Sequence, residues 1–179
     1  MGHSVLLVPV PELEEFVRAR TVHHDPDFLS RDPAFTHAHV TVLGPFVPRL
    51  DDGVAQRVGR ITGSTAPFDF VLERIDTFPT GIIHLVPEPD TGFRSLTARF
   101  VAEFPDFPPY AGAFPDVVPH LTLDAVSDTV SEASTRALLG AAVPAHCRAE
   151  RLDLAWYDAG NCHVVRSWRL GLPDVGSAG

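Results

Sequence analysis

His39-Val-Thr-Val-Leu-Gly-Pro-Phe46 decides how the chain is read, because His120-Leu-Thr-Leu123 answers it eighty-one residues later. Both read His-x-Thr-x with an aliphatic residue at each x. In an extended strand successive side chains alternate between faces, so a His and a Thr two apart project together, roughly 7 Å apart along the strand. Val40, Val42, Leu121 and Leu123 then point the other way, into a core. Each stretch is expected to be a half-buried strand presenting one imidazole and one hydroxyl. One such strand carries little information. Two matched ones describe a single site assembled from two halves.

Working outward, the text around the two stretches repeats. Residues 4–10 read as a buried strand closed by prolines, and Pro11 to Arg20 as a helix with Leu13, Phe16 and Val17 inward. Its acids stand in the first turn and its arginines in the last, which suits the helix dipole. Residues 21–36 read as a loop. After the first motif come a helix from Asp51-Asp52 to Gly63, a strand from Phe68 to Phe78 and a turn at Pro79-Thr-Gly81. Ile82-Ile-His-Leu-Val-Pro-Glu-Pro89 then parallels Val5 to Pro11, down to the shared Val-Pro-x-Pro. Phe93, Leu96, Phe100, Val101 and Phe104 mark a helix by their i, i+3/i+4 rhythm. A proline-rich loop, Pro105 to Pro119, leads to the second motif. A helix near 131–142 and strands near 148–157 and 163–170 close the chain.

This order, strand–helix–motif strand–helix–strand written twice, predicts an α+β fold built as a pseudo-twofold duplicated unit. Residues 1–79 form the first lobe and 80–171 the second, with 172–179 a flexible tail and the whole one compact domain. The spacing agrees: Val8 to His39 is 31 residues, and Val86 to His120 is 34. Two such lobes are expected to set their motif strands side by side or face to face across a central cleft, with both His-Thr pairs lining it.

The bulk numbers bound the function. At 179 residues and 45% apolar content the chain suits one globular domain. Its net charge is −9 and no run of basic residues occurs, whereas long nucleic acid calls for a basic stripe. A small substrate or a short RNA end is expected instead, with no membrane partner and a monomeric state. All 14 basic residues are arginine, which removes Schiff-base chemistry, the P-loop lysine and Ser-Lys dyads. Val5 to Val10 is too short for a signal or a membrane span, and Cys147 and Cys162 are not placed to pair, so a reducing, cytoplasmic setting is expected.

Two imidazoles titrating near pH 6.5 suit concerted acid–base work, one accepting a proton while the other donates. A threonine hydroxyl is short and stiff, fit to hold an oxyanion. Two such pairs describe a clamp for a phosphodiester, without a metal or other cofactor. At this point the motifs His39-Val-Thr41-Val and His120-Leu-Thr122-Leu resemble the signatures of the 2H phosphoesterase superfamily, in its 2′-5′ RNA ligase / RNA 2′,3′-cyclic phosphodiesterase branch. The resemblance spans roughly residues 4–171. It implies a bilobal fold of two antiparallel-rich sheets with outer helices, and metal-independent opening or joining of 2′-linked phosphodiesters. Carried over, His39 and His120 are the acid–base pair, and Thr41 and Thr122 bind phosphate oxygens. The low basic charge favours hydrolysis of a 2′,3′-cyclic phosphate or a small 2′-linked nucleotide over RNA ligation.

Phe46 and Tyr110 are candidates for contact with a substrate base, Tyr110 because its proline-rich loop leads into the second motif. Phe114 and Trp156 are weaker ones. Asp124 continues the Thr122 face and reads as a strand-end acid. Two other classes compete. One is a metal-dependent hydrolase using His37 and His39 as an H-x-H pair, a reading that lacks further ligands at a diagnostic spacing. The other is a non-catalytic nucleotide-binding or sensor module on the same fold.

Overall fold

A computed structural model describes residues 2–113 and 117–172. Phe114 and the tail from 173 onward lie outside them. The strands are β1 (His3–Pro9), β2 (His39–Leu43), β3 (Phe68–Thr77), β4 (Ile82–Glu88), β5 (Leu121–Ala125), β6 (Ala145–Ala149), β7 (Arg151–Tyr157) and β8 (His163–Arg169). The helices are α1 (Glu14–His24), α2 (Asp52–Gly63), α3 (Thr91–Glu103) and α4 (Glu132–Leu139).

The fold is α+β. All strand pairs are antiparallel, in the order β6-β3-β4-β5-β2-β1-β7-β8. This is two four-stranded halves meeting edge to edge at β5 and β2, where Val40 opposite Leu121 is the one paired position. The two motif strands are therefore neighbours at the centre of the molecule.

The boundary near residue 80 does not divide these spatial halves. It is a hairpin turn, closed by Phe78 N–H donating to Ile82 O at 2.9 Å, that pairs β3 with β4 inside one half. β7 and β8, from the end of the chain, complete the half that holds β1 and β2. The halves have exchanged strands. Two further differences are local. The single strand expected from residue 148 is divided into β6 and β7, which pair with β3 and β1 on opposite sides of the sheet. The first helix runs on to His24, its last turn braced by the Thr21 hydroxyl donating to Val17 O at 2.9 Å.

One apolar core unites the two halves. Val40, Val42, Leu121 and Leu123 are all buried to within 1% exposure, as the alternation requires. They pack with Phe93, Leu96 and Phe100, the inward face of α3, and with Val58 of α2. α2 begins at Asp51, whose carboxylate accepts from Val54 N–H at 2.8 Å and so satisfies one orphan donor of the first turn. Asp51→Ala is expected to cost about 1 kcal/mol, read as a lower urea midpoint at unchanged slope. No described helix is long and apolar enough to cross a membrane.

Candidate active site

The second face of the motif strands carries the chemistry. His39 and Thr41 on β2, Thr122 on β5 and His120 one residue ahead of β5 are all half-buried. Each threonine sits opposite a residue of the neighbouring strand where the register shifts: Thr41 faces Leu7 beside the Leu6/Leu7 irregularity, and Thr122 faces His84 beside that at Ile83/His84. Such irregularities twist a strand and re-aim its side chains. The pseudo-twofold relation expected from the sequence therefore extends to the way each hydroxyl is presented.

The two imidazoles are held alike. His39 Nδ1 lies 2.7 Å from His37 O, and His120 Nδ1 lies 2.8 Å from Val118 O. A carbonyl oxygen only accepts, so Nδ1 is the protonated nitrogen and Nε2 carries the lone pair. Each ring is thereby fixed in one tautomer, with Nε2 as the atom able to exchange a proton. Burial lowers the pKa of His39 to about 4; the His37 carbonyl opposes that shift, and the neighbouring charge of His120 adds to it. Burial also lowers that of His120, against the pull of the Val118 carbonyl, and His84 lowers it further. Both imidazoles are therefore neutral at pH 7 in the free protein.

Their surroundings differ. His39 has Tyr157 beside it, the ring centroids 6.0 Å apart and the phenol oxygen 3.5 Å from Nδ1. His120 meets the Phe78 ring edge-on at 4.9 Å and His84 at 5.3 Å. His84 is buried, stacked on Phe78 at 3.8 Å. Burial lowers its pKa, against the pull of the Ile82 carbonyl.

Three cavities with shared walls form the cleft. One of about 430 Å³ lies at His120 and Thr122, against Phe78, Ile82 and Val118. One of about 260 Å³ lies at His39 and Thr41. The third, of about 250 Å³, touches His39 and Thr122 beneath α1. Tyr110 lines the first two and stands between the motif halves. Its backbone N–H donates to Gly44 O at 2.6 Å, and it and Ala111 adopt left-handed φ values of 50° and 53°. Two consecutive non-glycine residues in that region are strained and hold only where the surroundings fix them.

Phe46, the other aromatic expected at the substrate, is not there. Its N–H donates to Ser4 O, which turns the ring inward against Phe104 at 5.0 Å and Phe107 at 5.4 Å, and it is 4% exposed. Tyr157 lines two of the cavities while Trp156 lines none of the three. Alternation along β7 sends Leu152 and Leu154 to the core and Tyr157 to the cleft.

His37 is held by both ring nitrogens. Nδ1 donates to Glu14 Oε1 at 2.7 Å, and Nε2 accepts from Ser30 N–H at 3.1 Å. Nδ1 carries its proton and the one lone pair, on Nε2, is taken by Ser30 N–H, so the H-x-H reading fails at its first ligand. Glu14 takes a second bond from Ala38 N–H at 2.9 Å, and its pKa lies below the usual carboxylate value: burial raises it, and these bonds outweigh that. Further along α1 from Glu14, the helix grips the other motif strand through Arg20, whose Nε lies 2.5 Å from buried Asp124 Oδ2 on β5. One helix thus ties β2 to β5.

The model of the 2′-5′ RNA ligase superfamily matches residues 9–161. The chain belongs to that superfamily, a group of 2H phosphoesterases. No curated protein matches the sequence. The fold is similar to that of E. coli LigT complexed with 3′-AMP, at 16% identity over 94% of this chain and 98% of that one, with a TM-score of 0.57. It is also similar to TT0787 of Thermus thermophilus, at 18% identity over 94% and 98%, with a TM-score of 0.58. E. coli LigT has further been solved with ATP and with NADP+.

Proposed function

We propose that the protein is a metal-independent phosphodiesterase that opens 2′,3′-cyclic phosphate ends or small 2′-linked nucleotides. The observation that carries this reading is the pair of half-buried imidazoles, each with Nδ1 bound by a backbone carbonyl and Nε2 left for proton exchange. Membership of a phosphoesterase superfamily and the small nucleotides bound by LigT support it. His39, with the deeper depression, is the general base: its Nε2 takes a proton from water as the water oxygen attacks phosphorus. His120 is the general acid, and its Nε2–H protonates the ribose oxygen as the P–O bond breaks. The anionic substrate raises the pKa of the nearby imidazole and so helps load that proton. Thr41 and Thr122 donate to the non-bridging oxygens, and Tyr110 borders the substrate between them.

The test is turnover of 2′,3′-cyclic nucleotides in excess chelator, followed by phosphorus NMR of the product. Linear monoester at an undiminished rate is expected; loss of rate with chelator, or binding without turnover, defeats the reading. The pH profile adds a sign. Catalysis needs His39 neutral and His120 protonated, so kcat/KM rises through an acidic limb near the His39 value of about 4. It falls again below the ordinary imidazole value of about 6.5, because His120 is also depressed. A maximum on the acid side of pH 6.5 is expected, and a plateau reaching to pH 8 contradicts the assignment.

A further inference from the structure

The first half of the fold faces Thr41 with a leucine, and the second faces Thr122 with a histidine. Leu7 and His84 are both 2% exposed, so matching buried places hold an aliphatic side chain in one half and an imidazole in the other. Burying a polar ring costs free energy that a leucine does not, and the hydrogen bond that offsets it, from Nδ1 to Ile82 O, is long at 3.3 Å. Packing of an apolar core therefore does not call for His84. It lines none of the three cavities of the cleft, so it stands behind the site and not in it. What it meets is the second motif. Thr122 is its partner across the strand pair, and the His120 ring centroid lies 5.3 Å from its own.

The three rings are ordered. His84 stacks on Phe78 with 3.8 Å between centroids and 17° between planes. Both stand across the plane of His120, Phe78 at 86° and His84 at 69°. The stacked pair thus forms a slab against which one imidazole rests. Such support matters because the terminal torsion of a histidine is broad, and the bond from Nδ1 to Val118 O holds the His120 ring at a single atom. Rotation about that torsion swings Nε2 away and breaks the Nδ1 bond, which frees the ring to take its other tautomer. We propose that His84 is a positioning residue for His120, its slab with Phe78 keeping the imidazole in the plane and tautomer in which Nε2 exchanges the proton. His84 is itself anchored by its Nδ1 at Ile82 O. The inference rests on the reading of His120 as the proton donor and adds the group that aims it.

The experiment compares the unmodified protein with His84→Leu and His84→Phe. Leucine is what the first half already carries at the matching place, and phenylalanine keeps a flat ring there without the anchor. Nuclear magnetic resonance of the unliganded proteins, their histidine nitrogens isotope-labelled, reads the tautomer of His120 at about pH 8, above the ordinary imidazole titration. The unmodified protein is expected to show one tautomer, with the proton on Nδ1. His84→Leu is expected to show the two in exchange, and His84→Phe to stay close to the unmodified protein. On a 2′,3′-cyclic nucleotide, kcat is expected to fall about tenfold or more in His84→Leu with KM changed less than about twofold, and by no more than about threefold in His84→Phe. A role in packing alone predicts the reverse order, with leucine tolerated and the bulkier phenylalanine worse. An unchanged His120 tautomer in folded His84→Leu overturns the proposal, as does equal loss in the two variants. The spectra need no substrate, so absence of turnover in the unmodified protein defeats the phosphodiesterase reading and leaves the tautomers to decide this one.

Discussion

His39→Ala and His120→Ala are each expected to lower kcat on a 2′,3′-cyclic nucleotide by about 10²- to 10⁴-fold, the usual worth of a positioned acid or base. The two losses are not expected to add. Once one proton transfer is gone the concerted path is lost, and the second removal costs little more. The circular dichroism melt is the control, since each substitution also leaves a backbone carbonyl, of His37 or of Val118, without its imidazole donor. Undiminished turnover in either folded variant sinks the two-histidine mechanism.

Arg20→Met carries the largest expected effect on stability. Methionine keeps the apolar stem of the arginine and removes the guanidinium, leaving the Asp124 carboxylate, 2% exposed, without its counter-charge. Breaking a buried pair from one side costs about 3–5 kcal/mol, because the surviving ion keeps its desolvation penalty. Urea unfolding at neutral pH reads the loss. The double variant Arg20→Met/Asp124→Asn is expected to recover most of it, since the amide is neutral and its oxygen can still accept from Ala125 N–H, as Asp124 Oδ1 does at 2.8 Å. A single-variant loss below about 1 kcal/mol would place the pair with ordinary solvated surface bridges.

The motif strands and their inward faces were legible because the two-residue alternation is a local rule, and Val40, Val42, Leu121 and Leu123 obey it. The exchange of strands was not, since a repeat in sequence says which units are alike and not which edges they share. Phe46 misled for a chemical reason. An aromatic ring after a turn serves a core and a stacking surface equally well, and only the bond from its N–H to Ser4 O settles which. Tyr157 and Trp156 are separated by one position of register, fixed by β1 on the far side of the chain. Arg20 and Asp124 meet across 104 positions, with no periodicity to announce them.

The exchanged strands also set an order of events during synthesis. β1 and β2 leave the ribosome early, yet β1 finds its second neighbour only when β7 arrives, with His3 opposite Tyr157. Until then one long edge of the nascent sheet stays open, and pairing across such sequence separations is slow to form. The wall beside His39 is among the last parts to be made, since Tyr157 belongs to that late strand. A chain released before β7 therefore has its first motif in hand without the pocket that gives it a use, and nascent-chain proteolysis should find β1 protected only after residues 151–157 have emerged.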